Sequence, residues 1–150
     1  MINLQIKPSI KLPCKKSILV QAAQVALESH GEAVRQDMSI VIGDDALLKS
    51  LNQKYKQRHT TTDVLAFPAG EIDPDSQTLY LGDVVISLPR AQEQALSAGH
   101  PLVDELQLLV VHGTLHLLGF DHNDPADKKR MQASQNEILH QLGIKLKVNL

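Results

Sequence analysis

The chain is short of several things, and each shortage excludes something. Its 150 residues contain one cysteine, Cys14, so no disulfide can form within it, and a reducing, cytoplasmic setting is the simplest expectation. It has no excess of basic charge: 15 Lys and Arg stand against 17 Asp and Glu, a net charge of −2. Proteins that coat nucleic acid are usually far more basic, so any such contact must rest on a local patch. No apolar run approaches the roughly 18 residues of a membrane span. The opening MINLQIKPSIKLPCKK is broken every few residues by lysine or proline and lacks the continuous apolar stretch of a secretory signal. No membrane attachment is expected. Internal repeats and low-complexity linkers are missing as well.

What is present suits one domain over residues 1–150: apolar residues make up 43% of the chain, enough for a core. Ile2, Leu4 and Ile6 alternate with polar neighbours and predict an opening strand. Helical spacing runs from Ser17 to Ser29, stopped by Gly31. Met38 to Ile42 reads as a strand, and Asp44 or Asp45 can cap the helix that presents Leu47, Leu48 and Leu51. His59 to Asp63 reads as a loop. Val64 to Phe67 reads as a short strand closed by Pro68, followed by turns from Gly70 to Gln77. Asp83 to Ser87 predicts a strand buried on both faces. Pro89 can open a helix that ends at Gly99. Leu102 to Leu118 is apolar nearly all round, the pattern of a buried central helix. A last helix runs from about Asp124 to Leu142. Strands and helices alternate first and helices dominate later, so an α/β (α+β) layer fold with a small mixed sheet is expected.

The chemistry concentrates in Val110 to His122. His112 and His116, four apart on a helix, lie on one face within reach of a shared metal ion. Gly119 can end the helix in the left-handed conformation, and His122 then returns as a third nitrogen. Three imidazoles that leave one position open describe a catalytic zinc site, whereas structural sites close all four positions. One buried histidine is more often a core residue, and a single His-x3-His pair is weak evidence; the glycine and the third histidine change that balance. The spacing resembles that of the metzincin zinc proteases. Those enzymes place a glutamate base after the first histidine, and Gly113 occupies that position here, which argues against peptide hydrolysis by that route.

The segment His112-Gly113-Thr114-Leu115-His116-Leu117-Leu118-Gly119-Phe120-Asp121-His122 resembles the HGxLHLxGxDH signature of the YbeY family of bacterial metal-dependent endoribonucleases. Thr62 to Pro68 resembles the family's TDVLSFP segment, Leu81 to Ser87 its LGDIxIS segment, and Leu51 to Tyr55 its LNxxY segment. The blocks occur in the family's order and span roughly residues 37–142. The resemblance implies a zincin-like fold, with a small mixed four-stranded sheet packed with about five helices. It implies one Zn2+ per chain on His112, His116 and His122, with His112 also catalytic. The expected activity is cleavage of single-stranded RNA in ribosomal RNA maturation, including the 16S 3′ end, and in ribosome quality control. Ribosomal RNA and the ribosome are the expected partners, with no DNA. After LNxxY the family usually carries an arginine thought to assist cleavage. Here Lys56 follows Tyr55 and Arg58 lies two residues on, so Lys56 or Arg58 is expected to take that role; lysine keeps the charge without the bidentate grip.

Two other functions share these features. A non-catalytic, zinc-stabilised ribosome-biogenesis factor would use the metal only for rigidity, and a metalloprotease would share the histidine spacing. Lys54, Lys56, Arg58 and His59 form a basic cluster that contacts either phosphate or solvent. Asp83, in an otherwise apolar strand, either orients a loop or ligand histidine or sits at the strand's wet end. Asp121 either partners a ligand histidine or caps its turn. Lys128, Lys129 and Arg130 are expected to face solvent and Met131 the core. His30, His100 and His140 show no partner pattern, and Cys14 is too isolated to be a ligand.

Overall fold

A computed structural model describes residues 1–30, 35–54, 59–60 and 63–146. In chain order the elements are β1 (Ile2–Ile6), α1 (Lys16–His30), β2 (Gln36–Gly43), α2 (Asp45–Lys54), β3 (His59–Thr60), β4 (Val64–Ile72), β5 (Leu79–Ser87), α3 (Leu88–Ala98), α4 (Leu102–Leu117) and α5 (Pro125–Gln141). The sheet order is β1-β2-β5-β4-β3. β1, β2 and β5 run parallel, while β4 is antiparallel to β5 and β3 to β4. Four longer strands therefore make the expected small mixed sheet, and the two-residue β3 adds a fifth at its edge. Among the described residues no helix is long and apolar enough to cross a membrane.

The period-two alternation of the strands assigns the two faces. Met38, Ile40, Ile42, Val64, Ala66, Val84 and Ile86 point to one side, where they meet α1, α4 and α5 in the main core. Leu65 and Val85 point to the other side and pack on Leu48 of α2. Beyond α2 that second face opens into a groove lined by Gln5, Lys7, Ser39, Phe67 and Asp83. Helix α4 lies in the middle of the main core, with Leu106, Val110, Val111 and Leu115 fully buried. Its sequence is not a strong helix former, since glycine costs about 1 kcal/mol against alanine and valines are unfavourable. Burying each Leu or Val contributes about 1.5–3 kcal/mol, so packing decides the conformation. The Thr114 hydroxyl, also buried, donates to the Val110 carbonyl at 2.7 Å.

The caps follow the chemistry of their residues. Asp44 caps α2, its Oδ1 accepting from the Leu47 N–H at 2.9 Å; Asp45 instead pairs with Arg90 at 2.8 and 3.3 Å. Ser87 caps α3 ahead of Pro89. Asp124 caps α5 ahead of Pro125, its Oδ1 accepting from the Asp127 N–H at 2.8 Å. Two readings of the sequence need correction. Strand β4 does not stop at Pro68 but continues to Ile72. Among the described residues β3 pairs with Leu65 and Ala66, and Pro68 lies next to a register shift, a bulge, between Pro68 and Glu71. Edges and bulges are where a strand tolerates a missing N–H. His59 and Thr60, read as loop, pair as that short edge strand.

Candidate metal centre

Three sequence-local devices build the site. Successive helical turns put His112 and His116 on one face of α4. Gly119, at φ +99°, takes the left-handed conformation that ends the helix, with the Phe120 N–H donating to the Leu115 carbonyl at 3.0 Å. The reversed chain then brings His122 back. One ring nitrogen from each of His112, His116 and His122 lies within 4.8 Å of the other two, close enough that the three could hold a metal ion. His112 and His116 are 7% and 4% exposed, and His122 is half-buried. Among the described residues this is the one group of three or more His, Cys, Asp or Glu side chains that converges in this way.

The hydrogen bonds behind the rings determine what faces the centre. The His116 Nδ1–H donates to the Phe120 carbonyl at 3.0 Å; a carbonyl only accepts, so the proton sits on Nδ1. The His112 Nδ1–H donates to Gln135 Oε1 at 2.9 Å. Both Nε2 atoms therefore present lone pairs, and they face each other at 3.2 Å. Two facing acceptors repel unless a cation lies between them. Tetrahedral zinc, with its nitrogens about 2.0–2.1 Å away, holds them about 3.3 Å apart. The side chains present fit such an ion, and each ring is held from behind as ligand histidines commonly are.

Gln135 was not singled out by the sequence, because it lies 23 positions from its partner on another helix. A signal was available: Met131, Gln135, Ile138 and Leu139 form the buried stripe of α5. An amide within an apolar stripe needs a hydrogen-bonding reason.

Gly113 has a structural role that accounts for the missing protease glutamate. A Cβ at this position would lie 2.6 Å from Val84 Cγ1 and 2.9 Å from its Cγ2. The position is pressed against β5, with no room for a carboxylate base. Asp83 lines the groove on the opposite sheet face and accepts from the Tyr80 hydroxyl; it does not orient a ligand histidine. Asp121 caps its turn, accepting from the His122 N–H at 2.7 Å and from Asn123 Nδ2 at 2.6 Å. His30, read as incidental, packs edge-on against Phe120, ring centroids 4.9 Å apart. His100 pairs with buried Glu105. Lys128, Lys129 and Arg130 are exposed and Met131 is fully buried, as expected. Lys56 and Arg58 lie outside the described residues.

The chain as a whole has clear relatives. The family model of endoribonuclease YbeY matches residues 2–143. The chain belongs to the endoribonuclease YbeY family. Endoribonuclease YbeY of Roseiflexus sp. (strain RS-1) is 39% identical over 149 residues, covering 95% of this chain and 93% of that protein. Endoribonuclease YbeY of Carboxydothermus hydrogenoformans is 41% identical over 128 residues, covering 85% and 86%. The solution structure of a Thermotoga maritima protein matches the fold with a TM-score of 0.59 at 23% identity, over 95% of this chain and 89% of that one. YbeY membership makes this chain a hydrolase of the endonuclease class, and its histidine triad is the group that could hold a metal ion.

Proposed function

We propose that this chain is a single-domain, zinc-dependent endoribonuclease of the cytoplasm. It cuts single-stranded RNA, not DNA, during ribosomal RNA maturation, including the 16S 3′ end, and in ribosome quality control. His112, His116 and His122 hold one Zn2+ per chain. The observation that carries this reading is the convergence of two buried Nε2 lone pairs 3.2 Å apart, with His122 beside them, in a chain of the YbeY family. When bound, zinc supplies a Lewis acid that stabilises phosphate charge and acidifies water. The protein's part is to hold the rings. Gln135 and the Phe120 carbonyl keep the Nδ1 protons of His112 and His116 pointed away from the centre. Burial of those two rings keeps bulk water off the ligand side, where charge stabilisation is strongest. Lys56 or Arg58 offsets the phosphate charge in the transition state.

The net charge of −2 favours one rival, a biogenesis factor in which zinc is only structural, because a free-standing nuclease usually grips RNA with more basic surface. The two are separated by incubating single-stranded RNA with sub-stoichiometric zinc-loaded protein. Multiple turnovers that stop on chelation support the enzyme, and no more than one cut per chain supports the rival. In the same assay, alanine at whichever of Lys56 and Arg58 assists cleavage should slow it on the order of 10²-fold with zinc retained. Near-wild-type rates for both variants would remove the pair from the active site.

A further inference from the structure

Gln135 is fully buried, its Oε1 accepts from His112, and its Nε2 has no hydrogen-bond partner among the described residues. An unpaired amide donor in the core calls for an explanation, and the surrounding geometry supplies one. If the amide turns over, oxygen and nitrogen exchange places and Nε2 becomes the group facing His112 Nδ1. That nitrogen must then accept, so the imidazole proton moves from Nδ1 to Nε2, with no net gain or loss of protons. His112 Nε2–H now points at His116 Nε2, 3.2 Å away. His116 can accept, because its own proton is held on Nδ1 by the Phe120 carbonyl. The turned arrangement thus has one more hydrogen bond than the first, and it consumes both lone pairs that a metal needs.

We propose that Gln135 is a positioning residue that acts as a two-state latch on the metal centre. In one orientation its amide holds His112 in the tautomer that accepts a metal. In the other it lets His112 close onto His116 when no metal is bound. The proposal rests on the three histidines being metal ligands. A carboxylate at this position can only accept when ionised, and would hold the metal-ready tautomer permanently. A glutamine can do either, so metal affinity is reduced by the fraction of time the latch is closed.

The test uses the full chain labelled with 15N, with the ring tautomers read from two-bond nitrogen–proton couplings in the metal-free protein and after one equivalent of zinc. His112 is expected to carry its proton on Nε2 without metal and on Nδ1 with it, while His116 stays protonated on Nδ1 throughout. Gln135→Glu should show the Nδ1 tautomer in both forms and bind zinc about tenfold more tightly. Gln135→Leu, which can hold neither tautomer, should bind zinc roughly 10–100-fold more weakly. An Nδ1–H tautomer of His112 in the metal-free wild type overturns the latch, and this spectrum needs no variant to fold. Zinc affinity in Gln135→Leu within twofold of wild type overturns it as well. A wild-type protein that takes up no zinc would overturn the metal reading itself, while the metal-free spectrum would still decide whether the amide sets the tautomer.

Discussion

Helix α4 has buried histidine chemistry at both ends, and the ends differ in how the polar groups are completed. At the N-terminal end His100 Nε2 meets Glu105 Oε2 at 2.7 Å, with side chains 12% and 3% exposed. One group donates, the other accepts, and the pair closes on itself. At the C-terminal end the rings of His112 and His116 are just as buried, yet their outward nitrogens bond to Gln135 and Phe120 while their inward nitrogens face each other as acceptors. Burial alone therefore does not mark a ligand site. The direction in which hydrogen-bonding capacity is left over does, and only the C-terminal end leaves it pointing at a common centre.

The sharpest way to break this comparison is to remove one histidine from each end. His116→Ala should lose most of its zinc, since two imidazoles seldom suffice for a tight site, and RNA cleavage should fall by on the order of 10²-fold or more. His100→Ala should keep one zinc per chain and lose stability instead. It leaves the Glu105 carboxyl buried without its donor, at a cost of about 2 kcal/mol. Elemental analysis after gel filtration and urea unfolding of the same samples read both effects. Full zinc retention in His116→Ala would mean that the C-terminal end is as self-contained as the N-terminal one.

A smaller effect is expected within the C-terminal end itself, at Gly113, between the two buried histidines. Alanine there gains about 1 kcal/mol of helix propensity but drives its Cβ to 2.6 Å from Val84 Cγ1, and overpacking of this kind costs about 1–3 kcal/mol. The net should be a loss of up to about 2 kcal/mol with zinc content unchanged. Val84→Ala in the same chain should relieve the clash, so a double-mutant cycle in urea should show coupling between the two sites. Additive losses would mean that α4 shifts off β5 instead of clashing with it.

The two ends also differed in how legible they were. The C-terminal site is written within eleven residues, His112 to His122, because one helical turn and a glycine reversal are local events that spacing alone encodes. His100 and Glu105 are only five positions apart, yet Pro101 breaks the chain between them, so helical periodicity does not predict their meeting. Gln135 was missed because its partner lies on another helix. The continuation of β4 past Pro68 comes with a register shift against β5, which only the strand pairing reveals. The core helices and the β2 and β5 strands were legible because each is a dense periodic run. Local patterns were read from the chain, and pairings across elements were not.

The subtlest expected difference is in pH dependence, and it tests whether the N-terminal pair is as settled as its geometry implies. Burial raises the Glu105 carboxyl above its ordinary value of 4.5, and the nearby Asp63 charge pushes the same way; the His100 hydrogen bond and charge oppose this and are outweighed. A carboxyl raised in the folded state keeps its proton to higher pH than it does in the unfolded chain. Below the ordinary glutamate range both states are protonated, and no penalty applies. As pH rises from there through the folded value, the unfolded chain ionises first and stability falls. Above the folded value the penalty is constant. Glu105→Gln carries no titrating proton, so its stability measured against wild type isolates this group from the histidines and other carboxylates. In urea titrations from pH 4 upward, wild type should lose stability relative to Glu105→Gln through the weakly acidic range and then run parallel to it. The opposite slope, with wild type gaining on the variant as pH rises, would show that attraction to His100 outweighs burial. The N-terminal end of α4 would then be held by its ion pair in spite of the desolvation, and the contrast with the C-terminal end would be stronger still.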